Sequence, residues 1–235
     1  SNAETKLHLL AGANTPLKGF SDPVLVEFKN RLTFMKGWMP IIVSLGNRSL
    51  NESHWKQVYD KLRDPVKYTT KKNFSLNDLI EDDVISIKDF IEEISARASG
   101  EARIESDLNE IKRIWEETSL VVKPYNDSKD KFILAETELV SQQLEDHQAK
   151  IQSMLAMKYV ASIRNRVEEW ESKLGQVQNT LDEWLECQRQ WMYLENIFSA
   201  EDIQKELPGE TTKFMGVDKF WKETMAKTNQ KPNVI

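Results

Sequence analysis

Cysteine occurs only once, at Cys187, so no disulfide can form within the chain. That excludes a disulfide-stapled scaffold and fits a reducing compartment. Glycine and proline are scarce, 8 and 7 among 235 residues, which excludes turn-rich and low-complexity folds. No run of about 18 apolar residues is present, so no membrane span is expected, and the chain shows no secretory signal. The sequons at Asn47, Asn51, Asn73 and Asn126 therefore carry no weight. Neither charge sign dominates any stretch: 32 basic and 38 acidic residues are interspersed and sum to −6. Without a basic stripe, nucleic acid is not an expected partner.

Patterns that carry chemistry are also sparse. The sequence has no Gly-x-x-x-x-Gly-Lys and no Gly-x-Gly-x-x-Gly loop, so it offers no recognisable cradle for nucleotide phosphates. His8, His54 and His147 are far apart, with no cysteine or carboxylate at metal-ligand spacing. The Asn126–Asp130 stretch lacks the sixth-position glycine and the closing glutamate of a calcium loop. Acidic clusters such as Glu81-Asp82-Asp83 and Glu168-Glu169 read as solvated helix faces, and Cys187 reads as a packed small hydrophobe. No catalytic, cofactor-binding or metal-ligating residues are expected, and the chain is not expected to be an enzyme by itself.

What is present is helix-forming composition and helical periodicity. Ser1-Asn2-Ala3 reads as a tag remnant, so the chain reads as an expressed fragment, and residues 1–23 as an irregular lead-in. Residues 24–118 form a first helical bundle. Gly37 and Pro40 split the Val24–Leu45 stretch into two helical pieces. Asn51 caps a short helix that Asp64-Pro65 ends. Ser75, with Asp78 in capping-box position, starts another. A longer helix follows over about Ser86 to Glu117, with Gly100 as a weak point. Residues 119–134 break the rule: the short apolar run Leu120-Val121-Val122 with its β-branched valines, then Asn126-Asp127-Ser128, then the short apolar Phe132-Ile133-Leu134 predict a β-hairpin.

Residues 135–228 form a second helical bundle. Val160, Ile163, Val167, Trp170, Leu174, Val177, Leu181 and Trp184 step by three and four, a heptad seam. The seam is read as failing at Gln188, where large aromatics take over. The polar tail, residues 229–235, is expected to fray. The seven tryptophans all fall in predicted helices and read as packing between helices; a docking surface is the sharper alternative. The expected fold is mainly α: an elongated, spectrin-like helical bundle with long helices and one small β-hairpin.

The stretch Leu181-Asp182-Glu183-Trp184-Leu185-Glu186-Cys187-Gln188-Arg189-Gln190-Trp191-Met192-Tyr193-Leu194-Glu195-Asn196-Ile197-Phe198 closely resembles a signature of the dynein heavy chain linker. Upstream, Trp38 to Leu50 followed by His54-Trp55 is similar to a family motif ending in a His-Trp pair. The wording around Tyr193 to Leu207 resembles axonemal more than cytoplasmic heavy chains. The resemblance covers roughly residues 24 to 227, and the family's downstream linker half and AAA+ modules are absent from the match.

The resemblance implies a mechanical linker, a lever arm that turns ATP-driven changes of the AAA+ ring into microtubule-based movement. It implies family-motif positions at His54, Trp55, Trp184, Gln188, Arg189, Trp191, Tyr193, Leu194 and Phe198, mainly structural. It implies ATP and Mg in the parent motor and none in this fragment. The implied partners are the ring of the same heavy chain and, indirectly, microtubules and other dynein subunits. The implied location is the cytoskeleton, in a ciliary or flagellar axoneme. The hairpin tip, Tyr125, Asn126, Asp127, Lys129 and Lys131, is the candidate ring contact, as a polar loop projecting from a helical rod. The alternative is a non-motor spectrin-like scaffold or coiled-coil adaptor. A lever built from intramolecular bundles predicts a monomer, and an adaptor built on the seam predicts a dimer.

Overall fold

The computed structural model describes residue 5 and residues 23–62 and 75–235. The lead-in up to residue 22, Thr5 apart, and the Asp64-Pro65 stop lie outside the described residues. The elements are α1 (Pro23–Leu45), α2 (Glu52–Tyr59), α3 (Leu76–Glu81), a 3-10 turn (Val84–Ile87), α4 (Lys88–Glu117), β1 (Val121–Pro124), β2 (Phe132–Ala135), α5 (Thr137–Leu155), α6 (Arg164–Phe198), α7 (Glu201–Glu206) and α8 (Pro208–Gln230). The fold is a mainly α helical bundle with one small antiparallel hairpin. Two compact units divide it, residues 1–99 and 100–235.

In the first unit, α1 is one helix with Pro40 inside it, not two pieces. Proline removes one backbone donor and crowds the preceding turn. Trp38, Ile41 and Leu45 are nevertheless all buried, at spacings that put them on one helical face, and their burial offsets the lost hydrogen bond. Helix α2 starts where expected. The His54 amide donates to Asn51 Oδ1 at 3.1 Å, and the Asn51 amide donates to His54 Nδ1 at 3.3 Å. Histidine thus fills the place that glutamate or glutamine holds in the usual capping box. At α3 the Ser75 amide donates to Asp78 Oδ2 at 2.7 Å. The core of this unit gathers Trp38, Ile41, Val58, Leu79, Val84, Ile91 and Ile94.

Helix α4 runs unbroken through Gly100. A Cβ there would collide with the Tyr159 ring, whose Cγ lies 3.1 Å from its position. Glycine is needed for this close approach, and alanine's better helix propensity brings no gain.

In the second unit, α5 and α6 pack on one another and on the second half of α4. Ile104, Leu108, Ile111, Leu144, Ile151, Val167 and Leu174 share one core. The seam starts before its helix does. Residues 156–163 form turns, and α6 begins at Arg164. The amides of Val160 and Ile163 reach back three residues to Met157 and Val160. Both side chains are buried, so their apolar spacing reflects a packed connection and not a helix. At 35 residues, α6 is still about 52 Å long.

The tail expected to fray is tied down. Leu120 N donates to Pro232 O at 2.7 Å and Val234 N to Thr118 O at 3.1 Å, forming an isolated bridge between Ser119 and Asn233. Trp38, Trp115, Trp170, Trp191 and Trp221 are buried, as expected of packing residues. Cys187, read as packed, is exposed.

Candidate functional site

The hairpin forms in the expected place, with Val121 opposite Ala135 and Lys123 opposite Ile133. Its turn uses Asn126 and Asp127 at φ of 49° and 53°, left-handed values that these residue types tolerate. Two short strands are marginal alone, so what holds them decides whether the hairpin is rigid. In an antiparallel pair every second residue turns its backbone groups away from the partner strand. Leu134 is one such residue. Its amide donates to Gln188 Oε1 at 2.7 Å, and its carbonyl accepts from Gln188 Nε2 at 3.0 Å. A side-chain amide on α6 thus stands where a third strand would pair.

Gln188 does not end the seam. Leu181, Trp184, Gln188, Trp191, Glu195 and Phe198 keep the three-four alternation, and Leu181, Gln188, Trp191 and Glu195 are buried. The register continues while its chemistry changes, because the partner changes from helices to strands and strand edges need polar contacts. Glu195 Oε1 accepts from Lys131 Nζ at 2.5 Å. That bond, more than the surrounding charges, raises the Lys131 pKa above its ordinary value.

Aromatic packing completes the clamp. Trp191 stacks on Trp221 of α8 with ring centroids 5.2 Å apart, and meets Tyr125 edge-on at 5.3 Å. Both indole donors are satisfied: Trp191 Nε1 reaches Asp218 Oδ1 and Trp221 Nε1 reaches Phe132 O, each at 3.2 Å. Lys222 pairs with Asp218 at 2.7 Å and reaches Asp130 of the tip at 3.8 Å. The Ser128 hydroxyl, bonded to Asp130 Oδ1, is the main cause holding that carboxyl below its ordinary pKa. Phe198 stacks on Phe214 at 5.1 Å. Trp184 lines a cleft of about 380 Å³ with Leu120, Val140, Val177 and Leu181. This is an arrangement for holding a hairpin in one position. No group of three His, Cys, Asp or Glu side chains placed to hold a metal occurs among the described residues.

The family model for the dynein heavy chain N-terminal region 2 matches residues 6–235. The chain belongs to the dynein heavy chain family. It is 37% identical over 212 residues to dynein axonemal heavy chain 6 of Homo sapiens, covering 90% of this chain and 5% of that protein. It is 36% identical over 236 residues to dynein axonemal heavy chain 2 of Homo sapiens, with 99% and 5% covered. To dynein axonemal heavy chain 1 of Rattus norvegicus it is 33% identical over 215 residues, with 90% and 5% covered. The chain therefore spans about 5% of the length of these relatives and is similar to the N-terminal region of axonemal dynein heavy chains.

Within this dynein segment the signature residues divide by face. Gln188 and Trp191 point inward, Leu194 and Phe198 are half-buried, and Tyr193 is 68% exposed. Arg189 is exposed and pairs with Glu186, whose carboxyl its hydrogen bond holds below the usual range. His54 and Trp55 belong to the first unit, where His54 caps α2 and Trp55 stacks on Tyr59 at 5.6 Å. Of the candidate tip residues, Tyr125 is buried under Trp191 and Lys131 is committed to Glu195, while Asn126, Asp127 and Lys129 are exposed. Sequence reading missed Glu195, Asp218 and Leu134. The heptad register would have found Glu195; nothing local marks the other two.

Proposed function

We propose that this segment is part of the mechanical linker of an axonemal dynein heavy chain, a lever that transmits ATP-driven changes of the ring into microtubule-based movement. One observation carries the reading: the family's signature residues Gln188 and Trp191, with Glu195, fix the hairpin on a 35-residue helix and leave Asn126, Asp127, Lys129 and Asp130 exposed. A lever needs rigid parts and an exposed contact, and hinge motion between states concentrates in few residues. The exposed tip is the contact with the ring of the same heavy chain. ATP and Mg would be held by that ring, and this segment carries no reaction step. Microtubules and other dynein subunits are indirect partners, and the place of action is the axoneme of a cilium or flagellum. The axonemal relatives support that location, and no helix among the described residues is long and apolar enough to cross a membrane.

The coiled-coil adaptor reading is disfavoured because it needs a free seam. Val167, Leu174, Leu181 and Trp191 are at most 4% exposed within a single chain. The isolated segment is accordingly expected to be a monomer.

The test replaces residues 126–130 with a Gly-Ser loop in the full heavy chain. Microtubule gliding should slow several-fold, and ATPase should lose its normal coupling to microtubules. Unchanged velocity and ATPase would remove the tip as a ring contact.

A further inference from the structure

Trp115 is fully buried, and its indole Nε1 donates to Nδ1 of the buried His147 at 2.9 Å. The rings meet edge-on, 6.0 Å apart at 72°. An indole nitrogen only donates, so Nδ1 must be unprotonated and the imidazole is the neutral Nε2–H form. This bond joins α4 to α5, the two helices that enter and leave the hairpin. Next to it, Gln143 Nε2 donates to the Thr118 hydroxyl at 2.8 Å, and Thr118 O accepts from Val234. The base of the hairpin and the C-terminal tail therefore rest on the same α4–α5 contact.

We propose that the His147–Trp115 bond is a pH-sensitive latch, closed while the imidazole is neutral and opened when it takes a proton. Protonation puts a hydrogen on Nδ1, two N–H groups then face each other, and the buried indole loses its acceptor. The proton has a route: His147 lines a surface depression of about 360 Å³ with Leu139, Gln142, Gln143, Asp146 and Lys150. The charged groups acting on it are Glu110 of α4 and Asp146 and Lys150 of its own helix. Burial, then Lys150, lowers its pKa below the ordinary 6.5, against Asp146 and Glu110. The sign follows. A depressed folded value leaves full stability above 6.5 and loses it as pH falls through the folded value. Acidification therefore loosens the hairpin base. The latch is independent of the lever reading, since it concerns this chain's own packing.

The test compares the chain with His147→Asn, whose Oδ1 takes the place of Nδ1 but does not titrate. Urea unfolding is followed from pH 7.5 to 5. The folding constant of the parent should fall relative to the variant by up to about tenfold per pH unit, the slope of one proton. Parallel pH profiles would overturn the latch. If the variant does not fold, the indole N–H resonance of Trp115 in the unaltered chain decides. It should lose exchange protection along the His147 titration, and protection that persists through that titration would overturn the proposal.

Discussion

Replacing Trp191 with alanine should cost the second unit about 3–5 kcal/mol, the range for removing a large buried aromatic. Trp191 is 1% exposed and touches the hairpin through Tyr125 and α8 through Trp221 and, by its indole donor, Asp218. Against a whole-domain stability of about 5–15 kcal/mol, that loss should free the hairpin before the rest of the unit melts. Urea unfolding read by fluorescence and by backbone circular dichroism would show it. Tyr193→Ala, two residues away on the exposed face, should stay within about 0.5 kcal/mol. Equal costs for the two variants would mean that the signature does not work through this clamp.

Gln188→Leu is the second large effect. Leucine fills similar space but leaves the Leu134 amide and carbonyl unpaired in a buried place. Each such group costs about 1–3 kcal/mol, so a loss of about 2–4 kcal/mol is expected after the gain from the added apolar surface. Amide exchange gives the sharper readout. The Leu134 N–H faces away from β1 and its partner is Gln188, so its protection reports this one side chain. In the variant the amide should exchange quickly while Ile133 and Ala135, on the β1 side, stay slow longer. Persistent protection at Leu134 would show that something other than Gln188 satisfies it.

Much of this fold is legible in the sequence where the signal is local. Asn51 and Ser75 cap their helices because the donor and acceptor are three residues apart. The hairpin follows from Asn126-Asp127 between two short apolar runs. Legibility fails where a distant partner decides. Pro40 stays inside α1 because the buried residues around it outweigh one lost hydrogen bond. Val160 and Ile163 copy helical spacing while packing a connection of turns. Gln188 looks like the end of a seam until Leu134, 54 positions earlier, supplies the strand edge it satisfies. The tail reads as polar and loose, yet Thr118 and Leu120 hold it. Of the candidate site, the signature is readable, Gln188 and Trp191 included; the roles of Gln188 and Glu195 as buried seam residues are not, because polar residues at seam positions lower an apolar count.

The most direct test of the lever reading is energy transfer between a fluorophore on exposed Lys129 and another fixed on the ring of the full heavy chain, followed through the ATP cycle. The account predicts two distinct efficiencies that exchange with nucleotide state, as the clamped hairpin moves with its helix. A single efficiency in every nucleotide state would contradict it.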